Sequence, residues 1–154
     1  MLGLLGYMIT WNTYGSWKPG DERGYVDRQG QALQGNEGIF QISTERQKYP
    51  TVKLNKQEKR IAEQIIQNES QKIGHKIIAL AVCTNHVHLL AETHQETIEN
   101  LIGRYKSITT RAFWECGRKG RIWAKGFDKR FCYSIKELNA RIAYVKKHNE
   151  ENFV

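Results

Sequence analysis

Two histidines placed one residue apart are the first feature of this chain that could do chemistry. His86 and His88 lie in the stretch "CTNHVHLLAE", which otherwise has the apolar character of a β-strand. Side chains two positions apart on a strand share one face, with Cα atoms roughly 7 Å apart. The two imidazoles therefore point the same way, and imidazole is the commonest metal ligand in proteins. We interpret the pair as a candidate metal site, although a bare His-x-His is more often two ordinary histidines on a sheet face.

The last predicted helix adds a phenol and a third imidazole. Its sequence "SIKELNARIAYVKKHNEEN" contains one apolar stripe, made of Ile135, Leu138, Ile142 and Val145. At about 100° per residue, Tyr144 lies roughly 140° from the centre of that stripe, and His148 roughly 100° from it on the same side. Residues four apart are neighbours on a helix surface. Tyr144 is therefore a candidate covalent nucleophile, and His148 a candidate third ligand.

A tyrosine nucleophile needs help from its surroundings. A free phenol has a pKa near 10, so its attack on a phosphodiester requires a metal that polarises the phosphate and neutralises its charge. Two other tyrosines are weaker candidates for this role. Tyr105 lies on the apolar stripe of the preceding helix and is assigned to the core, and Tyr133 ends a strand.

Composition favours a polyanionic partner and argues against export. The chain has 24 Lys and Arg against 16 Asp and Glu, a formal net charge of +8, and such a surplus favours nucleic acid through counterion release. Three widely spaced cysteines without a CxxC pair predict neither a disulfide framework nor a zinc knuckle, which fits a reducing cytosol. No cleavable signal and no run long enough to span a bilayer is evident. We therefore expect a cytoplasmic protein that is not bound to a membrane.

The elements that must position these residues can be read in order. We predict a single domain over residues 1–154, with a first strand at about 6–13 and a glycine-rich loop insertion at about 15–38. A first helix begins after the capping-box residue Asn55 and closes at Gly74. The segment "HKIIALAVC" is predicted to be a buried central strand that turns directly into "HVHLLAE", forming a hairpin.

A second amphipathic helix runs from Ile98 to about Glu115, "IWAKGFDKRFCYS" is the next strand region, and the last helix spans about 135–149. The order β-α-β-β-α-β with a final helix predicts an α+β fold: a ferredoxin-like (RRM-like) antiparallel sheet with helices packed on one face. In this arrangement the histidine face of the sheet stays open.

Basic and aromatic side chains are candidates for holding a nucleic acid. Cations position a phosphate backbone without reading its sequence, and aromatic rings stack on unpaired bases. Any single one of these cations is more often part of a solvated basic face. The candidates are Lys106, Arg104, Arg111, Arg118, Lys119, Arg121, Lys125, Trp17 and Tyr14.

Four motifs together resemble a known family, the single-tyrosine HUH transposases of the insertion-sequence 200/605 type (transposase IS200-like), which include the REP-associated tyrosine transposases. "TNHVHLL" is similar to the metal strand usually written "PNHVHLL", with Thr84 in place of the proline. "IWAKGFDKRF" resembles the family's "lWqrgfydr" segment, and "ARIAYVKKHN" its tyrosine helix. The early "TYGSWKPGDERGYVD" resembles the opening of one bacterial branch. The motifs occur in the family's order over nearly the whole chain.

The resemblance implies an enzyme that cleaves and rejoins single-stranded DNA near hairpins. It implies that His86 and His88 hold Mg²⁺ or Mn²⁺, and that Tyr144 forms a 5′-phosphotyrosine intermediate. The family usually has Gln or Asn four residues after the tyrosine, where this chain has His148 followed by Asn149. We favour His148 as the third ligand, with Asn149 as the alternative. Three imidazoles would also suit Zn²⁺ or Ni²⁺.

Two other functions fit the same residues. One is a related HUH nickase, although such proteins often carry additional domains. The other is a domesticated single-stranded nucleic-acid-binding protein that kept the fold and lost turnover. The family includes dimers as well as apparent monomers, so a homodimer is possible.

Overall fold

A four-stranded antiparallel sheet flanked by helices is the framework of the protein. The computed structural model describes residues 3–16, 25–26, 32–33 and 50–152. In chain order the elements of these parts are β1 Gly6–Asn12, β2 Tyr25–Val26, β3 Ala32–Leu33, α1 Lys56–Ile73, β4 Ile77–Val82, β5 His86–Ala91, α2 Ile98–Glu115, β6 Asp128–Cys132 and α3 Ile135–Asn152. Most of the predicted glycine-rich loop at 15–38 lies outside the described residues, and within it β2 pairs with β3.

The strand order in the sheet is β4-β5-β1-β6, with every neighbouring pair antiparallel. This order confirms the predicted ferredoxin-like fold, in which the first and third strands of the β-α-β-β-α-β unit lie at the centre. The prediction that β4 is a central strand was wrong, because β4 pairs only with β5 and forms one edge. Its apolar sequence reflects the helices α1 and α3, both of which pack on it.

Alternation along the strands sends apolar side chains to both faces of the sheet. On one face, Ile9 and Trp11 join the main core, which α1 and α2 cover. On the other face, Met8 belongs to a smaller apolar cluster together with Val145 of α3. The expectation that the histidine face stays open was therefore wrong, since the apolar stripe of α3 packs across it. Ile135 is the exception in that stripe, because it is exposed at the start of the helix.

Local signals explain where the helices begin and end. The Asn55 side chain accepts the backbone N–H of Glu58, and the Glu58 carboxylate accepts the backbone N–H of Asn55, so the predicted capping box is present at the start of α1. Gly74 ends α1 in the left-handed conformation at φ 70°. The Thr97 side chain caps α2 by accepting the N–H of Asn100.

The buried residue His75 links the sheet to α2. Its ring is stacked between two phenols, with Nε2 2.9 Å from the hydroxyl of Tyr7 on β1 and Nδ1 2.7 Å from the hydroxyl of Tyr105 on α2. Burial, with a smaller contribution from the neighbouring His94, lowers the pKa of His75 to about 4. Tyr105 is fully buried, as predicted for a core residue.

The depressed pKa of His75 predicts acid-sensitive folding. Below about pH 6.5 the unfolded chain takes up a proton on this imidazole, while the folded protein leaves it neutral down to about pH 4, so the free energy of unfolding falls as the pH drops through that window. Between pH 7.5 and 5.0, wild type should lose about 2 kcal/mol more than His75→Gln, measured by urea unfolding. Parallel losses in the two proteins would contradict this assignment.

None of the helices formed by the described residues is long and apolar enough to cross a membrane.

Candidate metal and tyrosine site

Three imidazoles from two elements converge on one point. His86 and His88 come from β5 and His148 from α3, and one nitrogen of each lies within 4.8 Å of the others. The ring centroids of the two strand histidines are 4.6 Å apart, and those of His88 and His148 are 4.7 Å apart. The strand spacing explains the first pair. The His148 ring reaches this pair because α3 packs on the same face of the sheet.

One ring nitrogen of His88 is hydrogen-bonded, and the other has no partner in the part of the chain that the structure describes. Its Nδ1 lies 2.8 Å from the Thr10 hydroxyl on β1, whose Cα is the cross-strand partner of His88. Its Nε2 is buried and has no hydrogen-bond partner among the described residues. Burial lowers the pKa of His88 to about 3, with smaller contributions from His86 and His148. A neutral imidazole with an orphaned buried nitrogen fits a metal ligand.

The other two imidazoles are oriented in the same way. His86 Nδ1 lies 2.7 Å from Asn85 Oδ1, and His148 Nδ1 donates to the Tyr144 carbonyl oxygen at 3.0 Å. With the proton on Nδ1, the lone pair of each ring is on Nε2, and hydrogen bonding of the second nitrogen is typical of metal-binding histidines. These contacts fix both ring orientation and tautomer before any ion binds.

The donor set fits a divalent transition metal. Three imidazole nitrogens suit Zn²⁺ or Ni²⁺ best, whereas Mn²⁺ and Mg²⁺ are more often bound through oxygen ligands. Asn149 Oδ1 is also buried, and it too has no hydrogen-bond partner within the described part of the chain. Both residues that the sequence offers as third ligand are thus on the inner side of α3, and the cluster with mutually close ligand atoms contains His148.

The Tyr144 phenol lies beside this cluster. Its ring centroid is 4.4 Å from that of His148 and 5.2 Å from that of His88. The residue is 42% exposed, so it is not a core tyrosine. Tyr133 is 49% exposed, but its aromatic contact is with Phe131 at 6.4 Å. Of the two tyrosines that are exposed in the described part of the chain, Tyr144 is the one in contact with the imidazoles.

Two of the predicted nucleic-acid contacts are engaged inside the protein. Lys106 Nζ donates to the backbone carbonyls of Ala124 and Gly126, at 3.0 and 2.7 Å. Arg118 forms a salt bridge with Glu58 at 2.6 Å and also donates to a backbone carbonyl near the start of α1. Lys106 and Arg118 thus hold the segment between α2 and β6 against α2 and α1, respectively.

The remaining candidates lie at the surface to different extents. Arg104 pairs with Glu69 at 3.2 Å. The Arg121 guanidinium lies 5.1 Å from the centre of the Tyr14 ring, so these two predicted residues contact one another. Arg111 and Lys119 are exposed, and Trp17 lies outside the described residues.

Thr10 is a member of the site that sequence reasoning missed, since its role depends on the pairing of β1 with β5. Thr10→Val should weaken divalent-metal binding about tenfold, because it removes the hydroxyl that orients His88, while Thr10→Ser should bind within about twofold of wild type. Titration calorimetry with Mn²⁺ and Zn²⁺ measures both. Equal affinities for the valine and serine variants would contradict the orienting role.

Comparisons with known proteins point to one family. A family model described as "Transposase IS200 like" matches residues 42–148, which is 107 of the 154 residues and includes the three histidines and Tyr144. No curated protein matches the chain.

Two solved structures are similar to the fold. The chain has a TM-score of 0.59 and 14% identity to a REP-associated tyrosine transposase bound to a REP hairpin, covering 97% of this chain and 68% of that one. A candidate transposase from Deinococcus radiodurans R1 gives a TM-score of 0.48 and 15% identity, covering 97% and 94% of the two chains. Because the family model spans well over half of the sequence, the chain belongs to the family of IS200-like transposases.

Proposed function

We propose that this transposase is a metal-dependent endonuclease and strand transferase that acts on single-stranded DNA near hairpins through a 5′-phosphotyrosine intermediate. The observation that supports this most is the contact of the exposed Tyr144 phenol with the convergent imidazoles of His88 and His148. A nucleophile of high intrinsic pKa next to a metal-binding cluster is what phosphodiester attack by a phenol requires.

The chemistry assigned to each residue is simple. His86, His88 and His148 would hold a divalent cation, which when bound neutralises charge on the scissile phosphate. The Tyr144 oxygen forms a bond to phosphorus while the bond from phosphorus to the 3′ oxygen breaks, and the phenolic proton ends on the released 3′-hydroxyl. One phosphoester bond is exchanged for another, so the energy of the bond is conserved. The 3′-hydroxyl can therefore reverse the reaction without a nucleoside triphosphate.

DNA with a hairpin is the proposed substrate. The net charge of +8 favours a polyanion, and the related transposase of known structure was solved with a REP hairpin. Histidines and tyrosine from one chain meet in the same site, so the proposed centre is complete without a second subunit. A homodimer, which the family resemblance makes possible, is not required to assemble it.

A covalent-capture experiment tests the proposal. The protein is incubated with a labelled single-stranded hairpin oligonucleotide and Mn²⁺, and the products are separated on a denaturing gel. We expect a protein–DNA adduct that a chelator prevents, with poor reaction of the matching duplex. Tight binding without an adduct in Mn²⁺, Mg²⁺, Zn²⁺ and Ni²⁺ would overturn the enzymatic function and favour a binding protein without turnover.

A further inference from the structure

A bulge interrupts the edge of the sheet next to the candidate site. β1 pairs with β6 as far as Thr10 and Asp128, and then pairs again through an isolated bridge between Thr13 and Trp123. Over this interval β1 advances by three residues and its partner by five, so the partner segment contains two extra residues. We call residues 124–127 the edge bulge. Bulges are frequent beside active sites, where they redirect the chain.

The edge bulge lies two strands away from the histidines. The Ala124 N–H donates to the Asn12 carbonyl at 2.9 Å, and the Cα partner of Asn12 on its other side is His86. Neighbouring strands are about 4.8 Å apart, so the backbone at Ala124 is roughly 10 Å from that of His86. At roughly 3.4 Å per nucleotide along one strand of B-DNA, this distance corresponds to about three nucleotides, so a strand that is bound at the histidines and runs across β1 would reach this edge.

A lysine from α2 fixes the shape of the edge bulge. The Lys106 ammonium donates to the carbonyls of Ala124 and Gly126, which flank Lys125 on both sides. Lys106 is partly buried, and this burial together with Arg121 lowers its pKa. Gly126 has φ 79°, a left-handed conformation that glycine adopts without strain. The turn is thus held by a cation that faces inward, while Lys125 between the two carbonyls is exposed.

We propose that the edge bulge binds the phosphate backbone of the DNA strand next to the Tyr144 site, with Lys125 as the contact and Lys106 as the residue that positions it. This inference rests on the proposed function, because it assumes that the strand is held at the histidine cluster. It also changes the expected role of Lys106, which acts through the backbone of the bulge and does not touch the DNA.

Fluorescence anisotropy with a labelled single-stranded hairpin oligonucleotide, in a chelator so that no cleavage occurs, tests the proposal. Lys125→Gln should bind about fivefold more weakly near 0.1 M salt, and the slope of log K against log salt should shrink by about 0.7, the value for one lost phosphate contact. Lys106→Met should cause a similar loss. The double variant should bind no more weakly than the weaker single variant, since both changes remove one contact.

Lys129→Gln is the matched control. It removes the same charge from the same edge of the sheet, but Lys129 pairs with Ile9 and thus belongs to the opposite face from Thr10. Equal losses in Lys125→Gln and Lys129→Gln would overturn the assignment of the edge bulge as the contact. Additive losses in the Lys106/Lys125 double variant, about 25-fold in all, would show that Lys106 contacts DNA itself and overturn its positioning role.

The two proposals fail in different ways. If wild type forms the covalent adduct but the Lys125 variant binds like wild type, the edge-bulge inference is wrong and the proposed function stands. If wild type never forms an adduct but the lysine variants show the expected losses, the edge bulge is a DNA contact of a protein without turnover. Retained Mn²⁺ affinity in Lys106→Met, or in Lys106→Arg if the first variant does not fold, shows that the histidine cluster is intact.

Discussion

Tyr144→Phe is expected to abolish the covalent protein–DNA adduct, with a loss of at least about 10⁴-fold in the rate of strand cleavage. The substitution removes one oxygen from an exposed ring and leaves the ring itself against the imidazoles of His88 and His148. Folding, metal binding and DNA binding should therefore stay close to wild type. The measurement is adduct formation on a denaturing gel, together with anisotropy for DNA affinity.

Tyr133→Phe is the matched control for this prediction. Tyr133 is exposed to a similar degree and is the other tyrosine that the sequence leaves as a candidate, but it contacts Phe131 and not the histidines. Its variant should form the adduct at the wild-type rate. If Tyr144→Phe still forms the adduct and Tyr133→Phe does not, the nucleophile is misassigned.

The second large effect concerns the metal. His88→Gln should lower the affinity for Mn²⁺ or Zn²⁺ by at least about 100-fold, because loss of a residue that only hydrogen-bonds a ligand commonly costs about 10- to 100-fold and this change removes a ligand itself. The reason is geometric, since the buried Nε2 of His88 is the atom left without a partner among the described residues. Metal titration calorimetry gives the affinity, and the adduct assay should show a parallel loss.

Two comparisons sharpen the metal prediction. His94→Gln is the control, because His94 hydrogen-bonds the Ile73 carbonyl on the opposite side of the sheet and belongs to the His75 cluster. His148→Ala and Asn149→Ala separate the two possible third ligands, and we expect the histidine variant to lose far more affinity. A large loss in Asn149→Ala with little change in His148→Ala would reverse that assignment.

Much of this architecture could be predicted from local pattern. The capping box at Asn55 and the left-handed Gly74 are short-range signals, and both are present in the structure. Helical periodicity predicts that Tyr144 and His148 are neighbours off the apolar stripe of α3, whereas their approach to the histidines of β5 depends on how α3 packs on the sheet. The pairing of His86 with His88 follows from the period of a strand.

What could not be predicted depends on contacts between distant segments. A central strand and an edge strand covered by helices on both faces have the same apolar sequence pattern. The position of β4 in the sheet was therefore predicted wrongly. A lysine off the apolar stripe reads as solvated, yet Lys106 turns to two carbonyls about 20 residues further along the chain. Thr10 is an ordinary strand residue until the pairing of β1 with β5 brings its hydroxyl to His88.

The last helix, α3, carries both the candidate nucleophile and a candidate metal ligand. Tyr144 and His148 are one turn apart on α3, and the backbone carbonyl of the first accepts a hydrogen bond from the ring of the second. A swing of this helix away from the sheet would withdraw phenol and imidazole at the same moment. Retraction of the phenol and removal of one of the three imidazoles would thus occur in a single movement, and a complete coordination sphere could not persist while the attacking group was withdrawn.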